Sequence, residues 1–247
     1  MRGAALVTGA SRNIGRGIAL ALAKEGRAVA CFGRDREALE QTAALIREAG
    51  GTASVHTGDV AVDADLEGFA ADAAREHGGI GMVVNNAGIM REARAADTTP
   101  QAFRDVINAN LVAAFVLSRA AHPYMRDGGG GVVVNIGSMF GGLGVPAAAS
   151  YCASKAGIEG LSRSLAAEWA RDSIRVVTVA PGYVRSDISA AALDDPELSG
   201  RLLSRIPLRR VGEPEEVGDL VAFLSSPKAA FISGETFVID GGQRMHV

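Results

Sequence analysis

Cysteine is nearly absent from this chain. Cys31 and Cys152 are its only two in 247 residues, and they make neither a disulfide framework nor a metal-ligand spacing. Both are expected as small buried apolar residues. The four histidines, at 56, 77, 122 and 246, also lack a paired ligand spacing, which argues against a metal centre and zinc catalysis. No strong charge of either sign is present: the formal net charge is -3 and basic residues are scattered, so no nucleic-acid or polybasic membrane partner is expected. No apolar run is long enough to span a bilayer, and residues 1–7 lead directly into a strand without a signal-peptide layout. A soluble, cytoplasmic and reduced protein is the resulting expectation. No Pro/Ser-rich linker, charge block or shift in composition divides the chain, so residues 1–247 are expected as one domain.

What the chain has is apolar material arranged in short runs. Hydrophobic residues make up 48%, enough for a sizeable core. Runs at 4–7, 28–32, 53–56, 81–84, 132–136, 175–179 and 236–239 read as strands. They are continuous Val/Ile/Ala-rich runs, not alternating ones, as expected for parallel strands buried on both faces. Between them, 14–25, 36–49, 64–77, 101–125, 151–170 and 215–224 carry helical periodicity. This alternation predicts an α/β fold: a single doubly wound Rossmann three-layer sandwich with a seven-stranded parallel sheet. Ligands then bind beyond the carboxyl ends of the strands, where Thr8, Asn85, Ser138 and Pro181 fall.

The first strand runs into Thr8-Gly9-Ala10-Ser11-Arg12-Asn13-Ile14-Gly15-Arg16-Gly17. Glycines at 9, 15 and 17 permit a tight turn and close approach of a pyrophosphate to a helix N-terminus. At the end of strand two, Gly33 occupies the position where a carboxylate would bind a ribose 2′-hydroxyl, and Arg34 follows it. With Arg12 in the glycine turn, Arg34 could make charge-assisted bonds to a 2′-phosphate. The expected cofactor is therefore NADP(H), with NAD(H) as the alternative. Asp35 is explained simply as a helix N-cap.

Tyr151 and Lys155 stand at i and i+4 of a predicted helix and share a face. The Lys155 ammonium is expected beside the Tyr151 hydroxyl, lowering its pKa and fitting it for proton transfer to or from an alcohol or ketone. Tyr-x-x-x-Lys is common by chance, so the reading depends on its company: Ser138 upstream, and the glycine turn.

These residues resemble the short-chain dehydrogenase/reductase family, over nearly the whole chain. Its 3-oxoacyl-carrier-protein reductase-like members are the closest subgroup, through Pro207 to Val217 and Val238-Ile239-Asp240-Gly241-Gly242. Asp59-Val60 resembles the family's adenine-contacting pair, Asn85-Asn86-Ala87-Gly88 its strand-four motif, and Pro181-Gly182 with Ser186 the segment holding the nicotinamide carboxamide. Gly137, where a second serine is frequent, and Ser186, where threonine is more usual, depart from the pattern without removing a required hydroxyl. The resemblance implies catalytic roles for Asn110, Ser138, Tyr151 and Lys155. It implies cofactor contacts from Gly9, Ser11, Arg12, Asn13, Ile14, Gly15, Arg34, Asp59, Val60, Asn86, Ala87, Gly88, Tyr151, Lys155, Pro181, Gly182, Val184 and Ser186. In the family's arrangement Lys155 also binds the nicotinamide ribose, and Asn110 holds a water linking Lys155 to solvent.

Substrate is expected against Ser138, Met139, Phe140, Val145, Tyr151 and Tyr183, under a lid at 187–206 interrupted by Asp194-Asp195-Pro196. The partners expected are a small carbonyl or alcohol substrate and copies of the chain itself, as a homotetramer through helices 101–125 and 151–170 with a second contact from 215–247. An acyl carrier protein is a further candidate partner, with Arg126 and Arg171 as docking residues. A non-catalytic dinucleotide-binding regulator is the rival of a different class.

Overall fold

Every strand of the sheet is parallel to its neighbours, and the order is β3-β2-β1-β4-β5-β6-β7. The strands are β1 (Ala4–Thr8), β2 (Val29–Gly33), β3 (Ala53–Thr57), β4 (Ile80–Asn85), β5 (Gly131–Ile136), β6 (Ile174–Pro181) and β7 (Thr236–Ile239). The computed structural model describes residues 3–186 and 195–245. The expected fold class is the observed one.

Two-sided burial explains the continuous apolar runs. In β1, Ala4 and Leu6 face one core and Ala5 and Val7 the other, and all four are fully buried. The first core is covered by α3 (Asp63–His77), α5 (Ala113–Asp127) and α6 (Ala149–Trp169), through Leu66, Phe69, Leu117 and Trp169. The second is covered by α1 (Asn13–Lys24), α2 (Arg36–Glu48) and α8 (Pro214–Ser225), through Ile18, Leu39 and Val217. Helices α1 and α8 approach closely because Gly17 and Gly218 face each other's backbones. A Cβ on Gly17 would lie 2.6 Å from Pro214 O, and one on Gly218 2.6 Å from Gly17 O.

Two differences from the sequence reading matter. The helix expected at 101–125 is α4 (Pro100–Ile107) and α5 joined by a π-helical turn, Asn108–Val112. The expected lid lies partly outside the described residues, at 187–194. Its remainder carries a short helix, α7 (Pro196–Ser204), that the sequence reading did not foresee. Among the described residues no helix is long and apolar enough to cross a membrane, and no group of three or more His, Cys, Asp or Glu residues could hold a metal ion.

Candidate active site

The carboxyl edge of β1, β4, β5 and β6 gathers most of the expected residues. At β1 the chain turns through Gly9 (φ 65°) and Asn13 (φ 50°) into α1. A Cβ on Gly15 would collide with Gly9 O and lie 2.6 Å from Asn86 Nδ2, so only glycine leaves the turn this tight. Asn86 Nδ2 donates to Thr8 O at 2.9 Å, and the amides of Asn86 and Ala87 both donate to Thr8 Oγ1 at 3.0 Å. The glycine turn and the β4 loop are thus one unit: a cradle of backbone groups at the start of α1, suited to a pyrophosphate.

The far end of this unit is exposed. Arg34 Nη1 lies 3.9 Å from Asp59 Oδ2, with side chains 77% and 42% exposed. Asp35 caps α2 by accepting from Ala38 N, as its simple reading required. Asp59 also closes a turn by accepting from Ala61 N at 2.9 Å. Arg16, which the sequence reading passed over, is tied down by Thr42 Oγ1 at 3.0 Å and Ser11 O at 2.6 Å, holding the glycine turn to α2.

The catalytic candidates converge between β5, the π-helical turn and α6. Ser138 stands two residues beyond β5 and caps the 3-10 turn Met139–Gly142, its Oγ accepting from Phe140 N at 3.2 Å. That bond uses one acceptor lone pair of the hydroxyl, which also hydrogen-bonds the Tyr151 phenol. Asn110 is buried: Oδ1 accepts from Ile89 N at 2.7 Å, while Nδ2 donates to Ile89 O at 2.9 Å and Ser154 Oγ at 3.0 Å. Asn110 therefore clamps the β4 loop to α6. Its side chain is committed to protein partners, and the π-helical turn presents it across 21 residues of sequence, not within its own helix. Gly88 packs against the same pair; a Cβ there would lie 3.1 Å from Asn110 Oδ1 and 3.7 Å from Lys155 Nζ.

Lys155 corrects one expectation. Its buried Nζ donates to Ile136 O at 2.7 Å and sits 5.6 Å from the Tyr151 ring centroid. Burial lowers the Lys155 pKa to about 8. Tyr151 is not lowered: burial pushes its phenol up, a hydrogen bond with Ser138 pulls it partly back, and nearby Cys152 adds to the rise. The Lys155 ammonium is held by the Ile136 carbonyl, and burial, Ser138 and Cys152 set the direction of the phenol's shift.

Other expected residues separate. Phe140 stands against Tyr151 and Tyr183, but Met139 is buried and Val145 half-buried. Val184 places its side chain in the second core and its backbone in a bridge with Gly212. Gly182 N donates to Ile239 O, and a Cβ on Gly182 would lie 2.6 Å from Asp240 Cβ.

A buried polar chain beneath the site escaped the sequence reading. Asn85, Asn135 and Thr178 are register partners on β4, β5 and β6. Asn85 Nδ2 donates to Asn135 Oδ1 at 2.7 Å and Ser118 Oγ at 2.9 Å. Asn135 Nδ2 and Thr178 Oγ1 then donate to Ser162 Oγ of α6 at 2.8 and 2.7 Å. The signal was Asn135 itself, a polar residue inside the apolar run 132–136.

Comparison with known proteins agrees with this geometry. The family profile described as enoyl-(acyl carrier protein) reductase matches residues 9–244. The 3-oxoacyl-(acyl-carrier-protein) reductase FabG of Staphylococcus aureus (strain Mu50) is 38% identical over 246 residues, covering 99% of each chain. Among solved structures, one described as a short-chain alcohol dehydrogenase from Sinorhizobium meliloti 1021 superposes with a TM-score of 0.95 at 39% identity, covering 100% of this chain and 98% of that one. A gluconate 5-dehydrogenase from Burkholderia cenocepacia J2315, in complex with NADP and tartrate, gives 0.93 at 32% identity, with 100% and 97% covered. Matches that run through the glycine turn, the candidate cluster around Tyr151 and the whole sheet make this chain a member of the short-chain dehydrogenase/reductase family, oxidoreductases that act on CH–OH and keto groups with NAD(P).

Proposed function

We propose that the chain, read as one domain, is an NADP(H)-dependent reductase interconverting a ketone and a secondary alcohol, with Tyr151 as general acid in reduction and general base in oxidation. The observation that carries this reading is the Tyr151 phenol: hydrogen-bonded to Ser138, beside buried Lys155, at the sheet edge where the glycine cradle opens. The residues present fit a dinucleotide, since Gly9 and Gly15, where a Cβ would strike Asn86, Ala87 or Gly9 O, let the turn fold tightly against the β4 loop and leave backbone groups facing the start of α1. Residues 9–15 and 86–88 would hold its pyrophosphate side, Arg12 and Arg34 a 2′-phosphate, Asp59 and Val60 the adenine, and Lys155 with the 181–186 segment the nicotinamide end. When bound, the nicotinamide supplies or takes up hydride at the carbonyl carbon.

The protein's own part is proton transfer. A phenol whose pKa is raised by burial stays protonated through neutral pH, which suits it to give a proton to the carbonyl oxygen. Ser138, its acceptor side occupied by Phe140 N, donates to the same oxygen and stabilises charge developing there. Asn110 holds the β4 loop against α6 and so keeps cofactor side and proton donor in register.

The NAD(H) alternative has one observation in its favour: Asp59 lies close enough to Arg34 to compete with a 2′-phosphate. For a carrier-bound substrate, the name of the Staphylococcus relative is the support. Assembly as a homotetramer is supported by exposed Phe103, Val112 and Phe115 along α4 and α5, and by Phe223 and Phe231 in the C-terminal region. Turnover of a panel of ketones and secondary alcohols, each with NADPH/NADP and NADH/NAD, tests the proposal. It predicts reduction of at least one ketone with NADPH preferred; equal use of both cofactors would remove the NADP(H) assignment, and no turnover across the panel would favour a non-catalytic dinucleotide-binding regulator.

A further inference from the structure

Phe140 is the meeting point of three aromatic rings. Its centroid lies 6.2 Å from that of Tyr151, with planes at 90°, and 6.3 Å from that of Tyr183, with planes at 88°. Edge-to-face pairs of this kind fix ring orientation as well as distance. The backbone holds the ring there too. Phe140 N donates to Ser138 Oγ, and Gly141 N donates to Ser138 O at 2.9 Å, so the turn that places the catalytic hydroxyl also places the phenyl group. Phe140 is only partly buried, and so are both of its aromatic neighbours. Phe140, with Tyr183 beyond it, forms an aromatic wall beside the Tyr151 phenol.

The surroundings continue the apolar character. Leu143, 37% exposed, follows on the same loop with its amide donating to Phe140 O at 3.4 Å. The loop after β4, which carries Met90 at 41% exposure, runs alongside, joined by the Ala93 N to Ala147 O bond of 3.0 Å. A hydroxyl pressed against a phenyl edge finds no hydrogen-bond partner and loses its water. An alkyl or aryl group there gains by leaving water.

Resting on the ketoreductase reading, we infer that Phe140 determines substrate class: the site takes ketones and secondary alcohols with an aryl or alkyl group beside the reacting carbon, packed on Phe140, and discriminates against polyhydroxylated chains. The proton chemistry of Tyr151 and Ser138 is common to both classes. The selection lies in the side chain of Phe140, which a substitution can change while leaving its backbone bond to Ser138 in place.

The test is kcat/KM with NADPH for an aryl methyl ketone and a straight-chain 2-alkanone against fructose, in the wild type, Phe140→Leu and Phe140→Asn. The wild type should favour the apolar ketones at least about tenfold, the usual scale of discrimination by an apolar pocket. Phe140→Leu should keep that preference. Phe140→Asn should lose about tenfold of it, mainly through a higher KM for the apolar ketones, with NADPH affinity unchanged in both variants as evidence that the fold and cradle persist. Preference for fructose in the wild type, or an unchanged ratio in Phe140→Asn, would overturn the inference while leaving the ketoreductase reading standing. No turnover of any ketone would overturn both.

Discussion

The two ends of the candidate site are built on opposite terms. At the catalytic end, Lys155 and Asn110 are 4% and 3% exposed, and their polar atoms bond to protein partners. At the Gly33–Arg34–Asp59 end, both charged side chains stand in solvent and meet at 3.9 Å, a pair contributing no more than ~1 kcal/mol. Burial makes the first end rigid, shifts its pKa values and leaves no spare partner for a lost group. Exposure makes the second end adjustable, because a charge can be added or removed there without stranding another. Substitutions at the buried end should therefore abolish turnover, and those at the exposed end should retune it.

The contrast breaks most visibly at Lys155. Lys155→Ala should lower kcat/KM by up to ~10²-fold and weaken cofactor binding by a similar factor, through loss of the proposed charge-assisted contact to the ribose, measured by steady-state kinetics and NADPH titration. Intact affinity would detach Lys155 from the proposed ribose contact. Ser138→Ala should lower kcat by ~10²-fold with little change in KM, as loss of a single donor to a developing oxyanion does. A pure KM effect would make Ser138 a binding residue only.

At the exposed end, a Cβ on Gly33 meets nothing nearer than Leu39 Cδ2 at 3.7 Å, so a larger side chain fits. Gly33→Asp should erase or reverse the NADPH preference. Loss of a charge-assisted phosphate contact corresponds to ~1.5–3 kcal/mol, or roughly tenfold to a hundredfold in the ratio of dissociation constants. An unchanged ratio would place specificity elsewhere.

The smallest effect is on stability. Burial holds Lys155 at about 8, while the unfolded chain titrates it near ~10.4. Between those values the unfolded chain binds the extra proton, so stability rises with pH through that window and is penalised below it. The raised Tyr151 phenol opposes this only above its ordinary value of ~10. Thermal melts from pH ~7 to ~10 should show the rise in the wild type and not in Lys155→Met. Parallel curves for the two proteins would mean that the ammonium is solvated.

Much of this layout is readable in the chain because it rests on local rules. Continuous apolar runs separated by helical periodicity specify a parallel sheet buried on both faces, and Gly9 and Gly15 mark where two backbones touch. The resemblance brought Ser138, Tyr151 and Lys155 together, and the structure gathers them at one edge. What stayed hidden depends on contacts distant in sequence. The i, i+4 rule puts Lys155 on the face of Tyr151 but does not say that Ile136 O captures its ammonium. The π-helical turn at Asn108–Val112 has no sequence signal of its own, yet it lets Asn110 grip Ile89 and Ser154. Asn135 was overlooked because its partners, Asn85 and Ser162, lie 50 and 27 residues away. Position along the chain does not say how deeply Met139 and Val184 sit, and both side chains are buried, Val184 within the second core.

The central claim is that the Tyr151 phenol carries the proton, and Tyr151→Phe tests it most directly. The change keeps the ring against Phe140 and removes only the hydroxyl. NADPH titration of the variant, together with its turnover of a ketone that the wild type reduces, should show cofactor affinity retained and kcat lowered by at least ~10²–10⁴-fold. Near-normal turnover by Tyr151→Phe would contradict the account, and the proton would have to come from another group.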